Sequence, residues 1–417
     1  MVVRLKLDLN YLAVAYSKNN CFIVKKYFII LKNKEMLKEI MSNFTVLSLL
    51  IVIISFLLVY TIIPKIYGII KIRNLSDEPN NRSSHFCSTP TMAGVAFYIT
   101  IIMTLFFIKN FDVENIGLNL IAAITVVFII GLKDDLVVTS PVAKLTMETI
   151  AIIFLLVSNS MNFTTLNGFL GIYKLPELLE YFGIIFILLT IINAFNFIDG
   201  IDGLASTIAI VIFSVFSLIF YACDLHFYFL VSLSIIAMLL AYLYYNFSTR
   251  QKIFMGDTGS LLIGFFIGFC TLKFLSMDAT LLSNFTFKAE NKLIIIFAIL
   301  FMPLFDMCRV IGIRLVSGKS PFKADRNHIH HILIDSGLSH FKVAMTLGFL
   351  NYVIIIISLW LSSFLDSFQM SFFLMFLNVV MLLFFSLLKE LTVFNVGRIF
   401  TSKFNYFLLK KNEKSEL

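Results

Sequence analysis

Asp134 and Asp135 stand side by side at the end of an apolar run, in Gly131-Leu132-Lys133-Asp134-Asp135-Leu136. Neighbouring like charges repel, which favours a shared proton or a cation between them, although a solvated helix end would also carry such a pair. Lys144, at the foot of the next apolar run, could snorkel to the interface or meet a phosphate. Further on, Asn193, Asn196, Asp199 and Asp202 recur at every third position of Asn193-Ala194-Phe195-Asn196-Phe197-Ile198-Asp199-Gly200-Ile201-Asp202-Gly203. At helical spacing these side chains share one face, and four oxygen-bearing groups there suit a hard cation or a phosphate, or else a polar seam between helices.

Two more clusters carry chemistry. In Phe254-Met255-Gly256-Asp257-Thr258-Gly259-Ser260, small residues at a helix start leave backbone N–H groups for an anion, and Asp257 adds a hard ligand; Asp-Thr-Gly is equally an ordinary N-cap. Phe254 could stack on a base or anchor at the membrane interface. In Pro321-Phe322-Lys323-Ala324-Asp325-Arg326-Asn327-His328-Ile329-His330-His331, three imidazoles adjoin Arg326. Adjacent His330 and His331 cannot easily share one tetrahedral ion, and no HExxH occurs, so polyphosphate binding or proton handling is preferred to zinc. Arg82 and His85, in an earlier polar loop, could contact a phosphate. Asp306 and Arg309, spaced i,i+3, are expected to pair with each other.

The elements that must position these groups are membrane helices. The 417 residues are 59% hydrophobic and only 14% charged, with a mean hydropathy of +0.94, which excludes a soluble surface. Apolar runs long enough to cross a hydrocarbon core of about 30 Å recur throughout. The fold class is therefore all-α, a polytopic membrane protein with about 11 transmembrane helices, at 44–64, 92–108, 116–132, 142–158, 179–197, 203–222, 225–246, 259–276, 292–313, 342–364 and 370–388. Alternating barrel strands are absent from the pattern. The five cysteines form no CxxC pair and read as reduced packing residues.

A net charge of +8 is explained by Lys and Arg retained on cytoplasmic loops, so no nucleic-acid partner is expected. Those basic residues concentrate on the connections sharing a side with the C-terminus, which places that side, and all the polar clusters, in the cytoplasm. Residues 1–43 are basic against this rule and are expected to be an N-terminal extension, either an upstream-start artefact or a cytoplasmic flap. Residues 44–388 form the transmembrane domain and 389–417 a basic cytoplasmic tail.

Taken in order, DEPNNRSSH with STPTMAG, GLKDD, NAFNFIDGIDGLA, FMGDTGS and PFKADRNHIHH resemble the polyprenyl-phosphate N-acetylhexosamine-1-phosphate transferase superfamily over roughly residues 44–345. DEPNNRSSH and HIHHILIDSGLSH look like its undecaprenyl-phosphate N-acetylglucosamine-1-phosphate branch, and less like the MurNAc-pentapeptide transferase of peptidoglycan synthesis. The resemblance implies transfer of N-acetylhexosamine 1-phosphate from a UDP-sugar to polyprenyl phosphate, releasing UMP. The product would be the first lipid-linked intermediate of a cell-envelope polysaccharide, made at the cytoplasmic face of a bacterial inner membrane.

The implied cofactor is Mg2+, for which Mn2+ would substitute, held by Asp257 and Asn196. Asp134 would orient or deprotonate the lipid phosphate, Asp135 would assist at the metal, and Asp199 and Asp202 would orient uridine, sugar or metal-bound water. Lys144, Arg326, His328, His330 and His331 would hold the diphosphate with help from Arg82 and His85, and Phe254 would stack on uracil. The expected partners are UDP-N-acetylhexosamine, polyprenyl phosphate and membrane lipid, with a homodimer left open. An ion-coupled transporter is the rival reading from another class, but it predicts carboxylates near the midplane and an internal repeat.

Overall fold

The computed structural model describes residues 43–73, 76–77, 89–137, 139–158, 161, 165–283, 285–320 and 326–413, the last of these without side chains beyond 391. Arg82 and His85 lie outside the described residues, as do residues 1–42. The chain divides into two compact units, 1–51 and 52–417. Of the first, the described part is the opening of helix α1 (Phe44–Arg73); everything below concerns the second.

Among the described residues, thirteen helices of seven or more residues build the fold. After α1, a two-residue antiparallel ladder pairs β1 (Ser76–Asp77) with β2 (Thr89–Pro90). There follow α2 (Gly94–Ile108), α3 (Gly117–Leu136), α4 (Pro141–Leu156), α5 (Glu177–Ile198), α6 (Leu204–Ala222), α7 (His226–Asn246) and α8 (Gly256–Ser276). The remainder are α9 (Lys292–Ile299), α10 (Phe301–Val316), α11 (Ile329–Asp335), α12 (His340–Leu361) and α13 (Ser367–Glu413). Among the described residues nine helices are long and apolar enough to cross a membrane, or ten if the bent pair ending in α9 and α10 is one span. The expected crossing at 142–158 corresponds to α4, whose 16 residues reach about 24 Å at 1.5 Å per residue.

Helix α8 is the axis of the bundle, packed against α2, α3, α5 and α6. Its most apolar window is wholly buried. Small residues permit this: a Cβ on Gly264 would lie 3.0 Å from the Ile192 Cα, and one on Gly268 would lie 3.0 Å from a Leu188 methyl. Close backbone approach is how helices gain packing energy where lipid is as apolar as their side chains. Elsewhere a buried trio of hydroxyls joins three spans, Ser234 lying 2.8 Å from Ser55 and 2.7 Å from Thr104.

The ninth span is broken. The bend is 67°, at Leu300, where Pro303 in the first turn of α10 needs no intrahelical donor of its own. Backbone groups freed by a break inside a membrane must find partners. Asn351 of α12 supplies both, accepting from Met302 N at 3.1 Å and donating to Ile299 O at 3.2 Å.

Candidate active site

Four helix ends meet on one side of the bundle. The last turn of α3 carries Asp134 and Asp135, the first turn of α4 carries Lys144, the end of α5 carries Asn196 and Asp199, and the start of α8 carries Asp257. Glycines set their spacing. A Cβ on Gly131 would lie 2.6 Å from the Thr258 Cα, and one on Gly94 would lie 2.3 Å from Gly259 N. Helices α2 and α3 therefore press directly on the first turn of α8.

Lys144 is the centre of the charge pattern. Its ammonium donates to Asp257 Oδ1 at 2.9 Å and to Asp134 Oδ2 at 3.2 Å. Asp134 is held from its other oxygen by Thr139, whose backbone N–H donates at 2.7 Å and whose hydroxyl donates at 2.5 Å. Asn196 donates through Nδ2 to Asp257 Oδ1 at 2.5 Å and to Ser260 Oγ at 2.7 Å. Asp134, Lys144, Asn196 and Asp257 thus form one connected group.

Asp135 faces elsewhere. Its carboxylate accepts from Asp257 N at 2.7 Å, from Thr258 N at 3.0 Å and from the Thr258 hydroxyl. These are the orphan donors of a helix N-terminus, so α3 caps α8 with a side chain. Gly256, at φ +72°, makes room, because a Cβ there would lie 2.7 Å from either Asp135 oxygen. The geometry makes Asp135 a residue that aims Asp257.

Asp199 and Asp202 also part company. Asp202 accepts from Lys252 at 2.7 Å and is 2.8 Å from His340 Nδ1, tying the loop before α6 to the loop before α8 and to the start of α12. Burial opposes its charge, but the hydrogen bonds from His340 and Lys252 outweigh burial and hold its carboxyl below the usual range. The Asp199 carboxylate accepts no hydrogen bond among the described residues. Burial, followed by the negative charges of Asp257, Asp135 and Asp202, pushes it up to about 7.

The histidines sit beside this group. His330 is 1% exposed and its ring lies on Gly200, where a Cβ would come within 2.4 Å of Nε2. Burial first, then the charges of His331 and His328, lowers it well below the usual imidazole value. Burial, then Arg326, lowers His331 to about 4. At neutral pH both are uncharged, so a phosphate would meet neutral N–H donors there. Arg326 is half exposed and lies 3.6 Å from Asp335. Phe254 N donates to Pro90 O at 2.8 Å, and the Lys252 ammonium lies 5.3 Å from the Phe254 ring centroid.

The expected pairing of Asp306 with Arg309 is replaced by contacts with the loop before α11. Asp306 takes Ile329 N at 2.8 Å and lies 2.7 Å from His328 Nδ1, while Arg309 donates to Asn327 O. An i,i+3 spacing allows a pair, but the buried loop backbone needs these partners more. Glu148 was missed by the sequence reading. It is fully buried and accepts from Asn193 Nδ2 at 2.7 Å; a carboxylate inside an apolar run was the available signal.

The donor set suits a hard divalent cation. Two carboxylates share one ammonium, the carboxylate of Asp199 accepts no hydrogen bond among the described residues, and the neighbouring donors are oxygens or amides. An ion takes an asparagine through its oxygen, so Asn196 would exchange its Nδ2 contact with Asp257 for one through Oδ1. A polytopic helical bundle with such a site at its helix ends defines a membrane protein equipped to handle phosphorylated substrates.

The sequence model of glycosyl transferase family 4 matches residues 117–275. The undecaprenyl-phosphate alpha-N-acetylglucosaminyl 1-phosphate transferase of Haemophilus influenzae is 30% identical over 67% of this chain and 77% of its own length. The protein of that name from Salmonella typhi is 30% identical over 72% of this chain and 79% of its own length. A probable undecaprenyl-phosphate N-acetylglucosaminyl 1-phosphate transferase of Bacillus subtilis is 35% identical over 44% of this chain and 47% of its own. The chain belongs to glycosyl transferase family 4, in the branch that these transferases represent.

Proposed function

We propose that this multi-pass membrane protein transfers N-acetylglucosamine 1-phosphate from UDP-N-acetylglucosamine to undecaprenyl phosphate at the cytoplasmic face of the bacterial inner membrane. An oxygen of the lipid phosphate attacks the sugar-bearing phosphorus, the phosphoanhydride bond to UMP breaks, and a sugar-diphosphate lipid forms. The names of the relatives support the acceptor and the transferred group. The observation that carries the reading is the Lys144 ammonium set between Asp134 and Asp257, with Asn196 on the same Asp257 oxygen.

Both reactants are anions, so positive charge must be waiting where they meet. Lys144 supplies it on a short tether fixed by Asp134 and Asp257. Asp134, immobilised by Thr139, orients the incoming lipid phosphate; with a second pKa of about 6, a phosphate monoester needs little help in losing its proton. Asp135 holds α8, and with it Asp257, in register. Arg326 and His331 are available for the diphosphate, and Phe254 for the base; His328, buried with Nδ1 on Asp306, is turned away from that task. Mg2+, held by Asp257 and Asn196 with Asp199 nearby, would neutralise charge on the diphosphate and its leaving group.

An apolar cavity of about 780 Å³ supports the lipid acceptor. It runs between α5, the bent α9–α10 pair and α13, and its lining includes Leu189, Asn193, Phe197, Phe301 and Cys308. Asn193 and Phe197 lie on the same stretch of α5 as Asn196, and Leu145, which also lines the cavity, follows Lys144 on α4.

The test is UMP release by purified protein given UDP-N-acetylglucosamine and undecaprenyl phosphate. EDTA should stop it and Mg2+ or Mn2+ restore it. Turnover that survives thorough chelation, or no turnover with this donor and acceptor, overturns the reading.

A further inference from the structure

The fourth sequence cluster contributes a second arrangement, built with a residue well upstream of it. Asp306 on α10, His328 and His330 each offer a ligand atom, and these three atoms lie within 4.8 Å of one another. All three residues are buried, Asp306 and His330 to 1% exposure. Among the described residues neither ring nitrogen of His330 has a hydrogen-bond partner. A buried imidazole with both nitrogens idle is rare, because each forgoes the hydrogen bond it had in water; such a group calls for a bound water or ion.

We propose that Asp306, His328 and His330 bind a divalent transition ion of the zinc class. One carboxylate oxygen and two imidazole nitrogens are the donor set of that class, with a fourth position left for water. The objection raised by the sequence, that neighbouring His330 and His331 cannot share an ion, does not apply. Here the alternate residues 328 and 330 point to one place, and the third ligand arrives from another helix.

Asp306 is already fixed for the role, since Ile329 N holds Oδ1 at 2.8 Å and leaves Oδ2 for the ion. Oδ2 and His328 Nδ1 now sit 2.7 Å apart. Two atoms about 2.0–2.1 Å from a tetrahedral ion are about 3.4 Å apart, so the ion replaces the shared proton after a movement of several tenths of an ångström. The loop is otherwise prepared: Arg309 holds Asn327 O, and Lys389 donates to Asn327 Oδ1 at 2.8 Å. Bound there, the ion would pin the segment carrying Arg326 and His331 to α10.

The experiment uses tag-free, full-length protein in detergent, stripped with chelator and dialysed against buffered Zn2+. Mass spectrometry should count about one zinc per chain in the wild type and in Asp257→Asn, and under about 0.2 in His330→Gln and Asp306→Asn. Zinc absorption spectroscopy on the wild type, which does not depend on any variant folding, should show two imidazoles and oxygen near 2.0 Å. A wild type that takes up no zinc, zinc kept by folded His330→Gln, zinc lost in Asp257→Asn, or a sulfur ligand in the spectrum overturns the proposal. None of these results bears on whether UMP is released.

Discussion

The two ends of α8 each carry a part-buried charge pair, and they are built for opposite purposes. At its first turn Asp257, with its side chain 34% exposed, meets Lys144, Asn196 and, through its own backbone, Asp135. Side chains from four helices converge there, and among the described residues the Asp199 carboxylate accepts no hydrogen bond. At the far end Lys273, 8% exposed, pairs with Glu114, which also takes the Tyr228 hydroxyl. The Tyr228 ring lies 4.9 Å from the same ammonium, and nearby Lys292 closes the end of α8 by donating to Leu275 O and Met277 O. The far cluster is self-satisfied and walled by an aromatic ring. The near cluster is open and holds surplus negative charge, which suits a divalent cation.

This contrast can be broken most severely at Asp257. Asp257→Asn should cut UMP release by at least about 10³-fold while leaving the unfolding temperature close to that of the wild type; near-normal turnover would remove the distinction between the two ends. Next comes Lys144→Gln, which leaves Asp134 and Asp257 facing each other without their ammonium. Turnover should fall by about 10²-fold, and an unchanged rate would show that Lys144 is only an interfacial anchor. At the far end the expectation reverses. Lys273→Met leaves Glu114 with the Tyr228 hydroxyl and should cost about 1–3 kcal/mol of stability, read by thermal unfolding in detergent, with turnover per folded molecule kept.

Two smaller effects sharpen the picture. Cys308 lines the apolar cavity and is exposed, so undecaprenyl phosphate should slow its alkylation several-fold and UDP-N-acetylglucosamine alone should not. Asp202→Asn should destabilise by about 1–3 kcal/mol. The folded carboxyl is held below its ordinary value, so its contribution is present above the unfolded pKa of about 4 and fades as pH falls through the lower folded one. The gap between wild type and variant should therefore be flat from about pH 6 to 8 and shrink only below about pH 4. A gap that changes near pH 7 would assign the clamp's pH dependence to another group.

Much of this was legible in the residues, and the exceptions share a cause. Apolar run length is a one-dimensional property, so each expected span has a helical counterpart, and hard-ligand types at helix ends marked Asp134, Asn196 and Asp257. Direction is not one-dimensional. Asp134 and Asp135 look equivalent in sequence, yet one turns to Lys144 and its neighbour to the backbone of α8, because consecutive residues on a helix point about 100° apart. Asp306 found its partners across a loop, and Asn351 found the break in the ninth span. Neither partnership leaves a local trace.

The broken ninth span has a further meaning for the cavity. A rod bent at Leu300 and stitched to Asn351 presents two limbs at different angles, and residues of both limbs, Ile294 and Phe297 before the bend and Phe301 and Leu304 after it, line the apolar cavity. A long-tailed acceptor seated in that cavity would lie against both limbs of the bend.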